Sequence, residues 1–429
     1  MQEMRREDYE KAFNLNKLVK SMRLFDQLLG EEWIRKQTKE RDKKHRGDKY
    51  YFLCEEESEH PIIRNWPLMS EEFNVKAGQK RRIYPIQQLG LIAPAHYIRS
   101  AMGIKGFNDR ISKTNLRDPI AFESFVFECK MASAFHRLGY NIEFLPEKDE
   151  PTPDFLIKCK EGEVYIECKK KIFTKKEKDY RIKACKITKS ILYLMDELQQ
   201  NLFVEIHSKG TMRDLNPSDI THSLKRQIQK GLKLGNFQID GTEIKWHSLL
   251  PFNVEKFGAF SVSLSRKPNY MANMTEVFVN EQGEMKYRNP RVVCFYTDAK
   301  FDRIKPLISR FKDALRQVEK HSPSLIYLEV ERGTKIQDLQ EAERRITQIF
   351  NPLAQSYDER TKGVKYCVFS AIELVEKNGM IGEYTASRTI ENKHSKASLP
   401  QSFFMLGKWF PGNADPKAMI NEGVRLSEN

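Results

Sequence analysis

Apolar residues recur along this chain with two alternating periods, and each switch between them marks an element. Over 121–140, AFESFVFECKMASAFHRLGY, the residues Phe122, Phe125, Val126, Cys129, Ala132 and Phe135 keep the spacing of an amphipathic helix, and Gly139 ends it. Three short strand-like runs follow at 141–145, 154–158 and 164–169, separated by the turn-forming stretches PEKDEPTP and KEGE. A helix over 179–200 and a strand over 202–207 come next. A second helical stretch and hairpin-like pieces fill 217–290, and about 210–290 reads as an insertion. VVCFY (292–296), a helix over 304–321 and LIYLEV (325–330) predict a strand–helix–strand unit that completes an α/β sheet. In that helix Leu307, Ile308, Phe311, Leu315 and Val318 share one face. A helix near 335–352 and a strand over 366–374 close the pattern.

Ahead of it, residues 1–50 alternate apolar helical patches (Leu18, Leu24, Leu28, Leu29) with the charged run KERDKKHRGDK. Residues 51–120 mix strand-like pieces with the basic stretches GQKRRIYP and GIKGFNDR, whose side chains are candidates to touch a phosphate backbone. The expected organisation has three parts. A basic, partly helical accessory region covers 1–120, and an α/β domain with a mixed central sheet flanked by helices covers 121–375. An extension with no assigned role covers 376–429 and carries the late aromatics Phe403, Phe404, Trp409 and Phe410. A chain of 429 residues has room for a sizeable core.

Charge narrows the partner. Lys and Arg number 73 against 59 Asp and Glu, a formal net charge of +14 and a pI near 9.2, which points to a polyanion. The excess is clustered: residues 169–189 hold ten Lys or Arg and two acids. Lys170, Lys171, Lys175 and Lys176 are therefore candidates for a nucleic-acid track, with a solvated basic face as the plainer alternative. Phe173 and Tyr180 are candidates to stack on a base or, alternatively, core residues. The cysteines at 54, 129, 159, 168, 185, 294 and 367 form no Cys-x-x-Cys pair and are expected to be reduced. The histidines show no metal-ligand spacing, so a metal here takes oxygen ligands. No apolar run reaches membrane length and the charged opening MQEMRREDYEKAF has no signal-peptide core, so the expectation is a cytoplasmic protein without a membrane partner. P-loop, G-x-S-x-G and G-x-G-x-x-G motifs are absent, which leaves an ATP-driven motor, a serine hydrolase and a Rossmann dehydrogenase without support.

The candidate chemistry lies in 121–170. Side chains alternate along a strand, so Glu167 and Lys169 project together from VYIECK while Val164, Ile166 and Cys168 point the other way. Asp154 follows Pro153 and opens the preceding strand, which a short turn folds back antiparallel. Two carboxylates and a lysine are then expected around one cavity. Mg²⁺ suits this set, with Asp154, Glu167 and the backbone carbonyl of Cys168 as ligands and Lys169 beside the bound water. At about 100° per residue with Phe125 at zero, Glu128 falls near −60°, on the shoulder of the buried stripe, and Glu123 near 160°, toward solvent. Glu128 is therefore the candidate helix carboxylate that completes the metal site, directly, through a water or through a second ion. The plainer alternatives are a boundary-position Glu128, an Asp154 that caps a turn, and an exposed Glu167–Lys169 pair.

Glu128, then PTPD with Asp154, then Glu167-Cys168-Lys169 resemble the PD-(D/E)XK nuclease superfamily, closely over 121–170 and loosely over 291–330. The resemblance implies a restriction-endonuclease-like core and a nuclease that uses Mg²⁺ or Mn²⁺. It also implies catalytic roles for Glu128, Asp154, Glu167 and Lys169. Some lineages add a glutamine on a later helix, for which Gln199 and Gln317 are both candidates. DNA ahead of RNA, a role in bacterial defence or restriction, and a homo-oligomer or a separate ATPase or helicase partner are further implications. A non-catalytic nucleic-acid-binding or scaffold protein that retains the fold is the rival expectation.

Overall fold

Over residues 15–46, 48, 50, 59–66, 85–146, 150–170, 174–210, 215–249, 271–279, 285–299, 301–330, 336–377 and 380–403, the computed structural model describes an α/β chain with two mixed sheets. Helices α1 (Leu15–Phe25) and α2 (Glu31–Lys44) are joined by a π-helical turn at Asp26–Gly30, and α3 (Pro85–Ala101) and α4 (Phe107–Lys113) lead to α5 (Pro119–Arg137). The 121–140 pattern becomes α5 because Asp118 caps it, its carboxylate accepting the Ala121 N–H at 2.7 Å, while Pro119 fits the first turn. Gly139, at φ +86, turns the chain into β1 (Asn141–Phe144). Strands β2 (Phe155–Cys159) and β3 (Gly162–Lys170) follow, and then helix α6 (Lys175–Glu197).

Past α6 the chain builds a second sheet from β4 (Leu202–Ser208), β5 (Leu234–Ile239), β6 (Thr242–Ser248), β7 (Met271–Val279) and β8 (Met285–Thr297), with α7 (Pro217–Gln229) between β4 and β5. Its order is β5-β6-β4-β8-β7, and β4 and β8 are its parallel pair. Ile187 and Ile191 of α6 and Leu224 of α7 pack on Val204, Ile206, Trp246, Val293 and Phe295. Helix α8 (Ile304–Val318) then leads to β9 (Ser324–Val330), and α9 (Ile336–Phe350) and a 3₁₀ turn at Glu359–Gly363 lead to β10 (Val364–Lys377) and β11 (Met380–Glu391). The first sheet runs β1-β2-β3-β9-β10-β11, parallel at β3–β9 and β9–β10 and antiparallel elsewhere.

Every residue of β9 is buried, as its near-continuous apolar sequence requires of a parallel strand covered on both faces. Leu325 and Tyr327 join Val164, Ile166 and Cys168 of β3 under α1, α3, α4 and α5. Ile326, Leu328 and Val330 pack on the other side under α8 and α9.

Three expectations change here. VVCFY and LIYLEV were expected in one sheet; instead the first lies in β8 of the second sheet and the second is β9 of the first. An apolar run states that a strand is buried and says nothing about which strand lies beside it. The insertion expected at about 210–290 is also larger, because β4 and β8 on its flanks are the central strands of the second sheet. Finally, the described parts of 1–120 are no separate accessory region. Phe25 meets Phe122 at 6.1 Å between ring centroids, and the Arg117 guanidinium donates to the Leu29 carbonyl at 2.9–3.0 Å. Within the extension, β11 edges the first sheet and Phe403 stacks on Phe135 at 5.9 Å, while Phe404, Trp409 and Phe410 lie outside the described residues.

His60 joins these layers. Its ring lies 5.4 Å from Trp33 and 4.6 Å from Phe122; Nδ1 accepts the Ile62 N–H at 3.2 Å and Nε2 stands 2.9 Å from the Leu116 carbonyl. The neutral ring protonated on Nε2 uses both contacts. Burial holds its pKa down at about 4, against an ordinary 6.5. The unfolded chain therefore takes up a proton first as pH falls below 6.5, and stability drains until the folded ring protonates near 4. We expect this residue to remove about 2 kcal/mol between pH 7 and pH 5. Urea unfolding at the two pH values should show the loss in the wild type and a smaller one in His60→Gln.

Candidate active site

The site forms where β2 parts from β3. Phe155 pairs with Ile166, and the N–H of Asp154 also donates to the Ile166 carbonyl at 3.1 Å. Two residues thus face one, the arrangement of a β-bulge, which re-aims the first of them. The side chain of Asp154 turns along the sheet edge, where Oδ2 accepts the Cys168 N–H at 2.7 Å. That N–H has lost its strand partner, and the carboxylate replaces the missing carbonyl. A residue's N–H and C=O point to the same side of its strand, so the Cys168 carbonyl faces the same edge.

Glu167 and Lys169 leave β3 on the opposite face from Cys168, toward α8. Glu167 is fully buried; the Lys169 ammonium sits against Oε1, and Oε2 has no hydrogen-bond donor among the described residues. Glu128 comes from α5, on the other side of the sheet, and is buried, whereas Glu123 lies on the exposed side of the helix, 2.9 Å from the Lys170 ammonium. The expected single-face cavity is therefore an edge. Glu167 and Lys169 lie on one side of β3, Glu128 arrives from the other, and Asp154 stands between them because of the bulge.

Arg110 closes the edge: it lies in GIKGFNDR, whose basic residues were candidates to touch a phosphate backbone, and it is buried. Its Nε donates to Glu128 Oε2 at 3.0 Å, and its Nη2 lies 2.9 Å from that oxygen and 2.7 Å from Asp154 Oδ1. Gly106 makes this possible. At φ +81 its chain passes so close to β1 that a Cβ would stand 2.2 Å from the Phe144 carbonyl oxygen, too near for any other residue. Phe107 then packs on Phe125 and Phe144, and Arg110, one helical turn later, faces the same way. An arginine three residues after a buried phenylalanine on a short helix was the available signal.

Three carboxylates thus share a buried space with two cations. Burial, then the Asp154 charge, raises the pKa of Glu128 to about 8 although Arg110 opposes the shift. Burial and then Asp154 push that of Glu167 well up, with Lys169 opposing. For Lys169 burial works against the ammonium, and the charges of Glu167, Asp154 and Glu128 outweigh it, so its pKa is raised. Among the described residues no group of three His, Cys, Asp or Glu is arranged to hold a metal ion; Arg110 bonds Glu128 and Asp154, and Lys169 sits against Glu167. The donor set still fits a hard divalent cation in kind: three carboxyl groups that a dication would hold in their ionised form, and a buried oxygen of Glu167 without a donor.

Of the expected basic track, Lys175 and Lys176 are exposed in the first turn of α6. Lys170 is held by Glu123 and, at 3.7 Å, Glu329, and Lys171 and Phe173 lie outside the described residues. Tyr180 is no stacking platform, being buried in the second core against Phe301 at 5.3 Å. Gln317 lies on α8, which packs on β3, whereas Gln199 follows the end of α6 beside the second core at φ +54.

Comparison with protein-family models and with curated proteins finds no match to this chain.

Asp154→Asn turns one acceptor into a donor facing either Arg110 or the Cys168 N–H, and should lower the unfolding free energy by about 3 kcal/mol. Glu123→Gln, at a half-exposed ion pair, should change it by less than about 0.5 kcal/mol. Denaturant unfolding of both variants checks the contrast.

Proposed function

We propose that this chain is a metal-dependent nuclease that hydrolyses nucleic-acid phosphodiester bonds, DNA ahead of RNA, on a restriction-endonuclease-like core. The observation that carries this reading is the linkage at one sheet edge of Glu128 to Asp154 through Arg110, and of Asp154 to the Cys168 N–H between Glu167 and Lys169, which sit against each other. The order of elements agrees with it: α5, the β1-β2-β3 meander, then β9 parallel to β3, with helices on both faces.

Asp154, Glu167 and the Cys168 carbonyl, with Glu128 behind them, would hold Mg²⁺ or Mn²⁺, which when bound polarises a phosphoryl oxygen and acidifies a water. Asp154 is pinned by the Cys168 N–H, so its second oxygen keeps a defined place at the edge. Lys169 is partly open to solvent; its ammonium has three donors, of which Glu167 takes one, and the others can orient a water or steady charge on the phosphate. Lys175 and Lys176 start α6 six residues beyond Lys169, within about 20 Å even along an extended chain, and would hold the backbone of the substrate next to the edge.

The second reading, a nucleic-acid-binding protein that does not turn over, is favoured by the partners already on both Asp154 oxygens. Supercoiled plasmid and a structured RNA, each with and without Mn²⁺, separate the two. The nuclease reading expects cleavage of the plasmid only with metal, reduced about 10²-fold or more in Asp154→Ala and Lys169→Ala. Binding without cleavage by every protein would establish the second reading. In either case the Lys175→Ala, Lys176→Ala double variant should lower the slope of log affinity against log salt by about 2, measured by fluorescence anisotropy.

A further inference from the structure

Arg110 belongs to none of the sequence motifs that suggested the site, yet it is the buried group that joins two of its acids. Its guanidinium spans Glu128 Oε2 and Asp154 Oδ1, tying helix α5 to the end of β2. The other oxygen of Asp154 is committed to the backbone of β3, so Oδ1 is the atom that can turn to a different cation. A divalent ion on a carboxylate oxygen sits about 2.1 Å from it. The Arg110 nitrogen is 2.7 Å from the same oxygen. Two positive centres that close, in a space with little water to screen them, repel strongly.

We propose that Arg110 is the resident counter-ion of the cleft: it holds Asp154 and Glu128 together before a metal arrives, and it yields Asp154 Oδ1 when a divalent cation enters. The proposal rests on the metal-dependent reading of the site. It makes Arg110 a positioning residue that assembles the acids and sets how tightly they take metal. Coupling between two ligands of one site is reciprocal, so a cation that loosens the Arg110–Asp154 bond is weakened to the same degree by Arg110. A guanidinium that were only a structural brace would do the reverse, because its loss would let the carboxylates drift apart.

The test is Mn²⁺ binding to the full chain without nucleic acid, read from the loss of the free-ion electron paramagnetic resonance signal. The expected result is that Arg110→Met binds Mn²⁺ about tenfold more tightly than the wild type, within the usual range of such couplings. Asp154→Asn should remove that binding in both backgrounds. Methylguanidinium should weaken Mn²⁺ binding to Arg110→Ala and leave the wild type unchanged. If Arg110→Met does not fold, the pair Glu128→Gln and Glu128→Gln with Arg110→Met repeats the comparison with one buried carboxylate fewer left without its partner.

Equal or weaker Mn²⁺ binding after loss of Arg110, with Asp154 still required, overturns the proposal and leaves the metal reading standing. Absence of any Asp154-dependent Mn²⁺ binding in every protein overturns the metal reading and the proposal with it. Tight binding in Arg110→Met alongside none in the wild type supports both.

Discussion

Much of this molecule answers to one constraint: three carboxylates are kept out of water at the edge where β2 leaves β3. An unpaired buried carboxylate is prohibitively costly, so each needs a partner supplied by another element. Asp154 takes the Cys168 N–H that the divergence of the strands sets free, and Lys169 covers Glu167 from the same strand. Glu128 has no partner on its own helix. It draws in Arg110, and with it α4, the turn at Gly106 and the packing of Phe107 on β1. The helices before residue 120 therefore belong to the core, because a charge in the middle of the domain has its counter-charge among them.

The first sheet follows from burial on two sides. β9 is buried throughout and takes helices on both faces; it pairs with β3, and α5 and α8 lie on opposite sides of the edge. The second sheet is built around the parallel pair β4 and β8, with α6 and α7 packed on one face. The chain enters it after β3 and returns through α8, so the second unit is spliced into the first at the point where the basic start of α6 emerges. Covalent connection thus limits how far the exposed Lys175 and Lys176 can lie from Lys169, to about 20–25 Å. The ion pairs of Lys170 with Glu123 and Glu329 take it out of the free positive surface.

The helix over 121–140 and the three strands after it were readable from the sequence because each is encoded within a few residues by apolar spacing and by the turn residues between runs. The same local arithmetic separated Glu128 from Glu123, since an angle around a helix needs no knowledge of the rest of the chain. It also placed Glu167 and Lys169 on one face, because strand alternation is equally local. Asp154 did not follow that alternation. A bulge adds a residue to one strand only, and the composition around PTPD does not reveal where the count slips.

What tertiary structure alone decided is partnership. VVCFY and LIYLEV look alike as sequences and lie in different sheets, because pairing is settled by contacts between residues 89 and 159 positions apart. The pairing of Arg110 is of the same kind: its place one turn after Phe107 hints at an inward face, but Glu128 and Asp154 are 18 and 44 residues away, and no local pattern names them as its partners. By itself the sequence determined which residues are apolar, which are charged and how they alternate, for these are properties of neighbours along the chain. Which charge would meet which was settled only when burial forced distant elements together and required every enclosed acid to find its counter-charge.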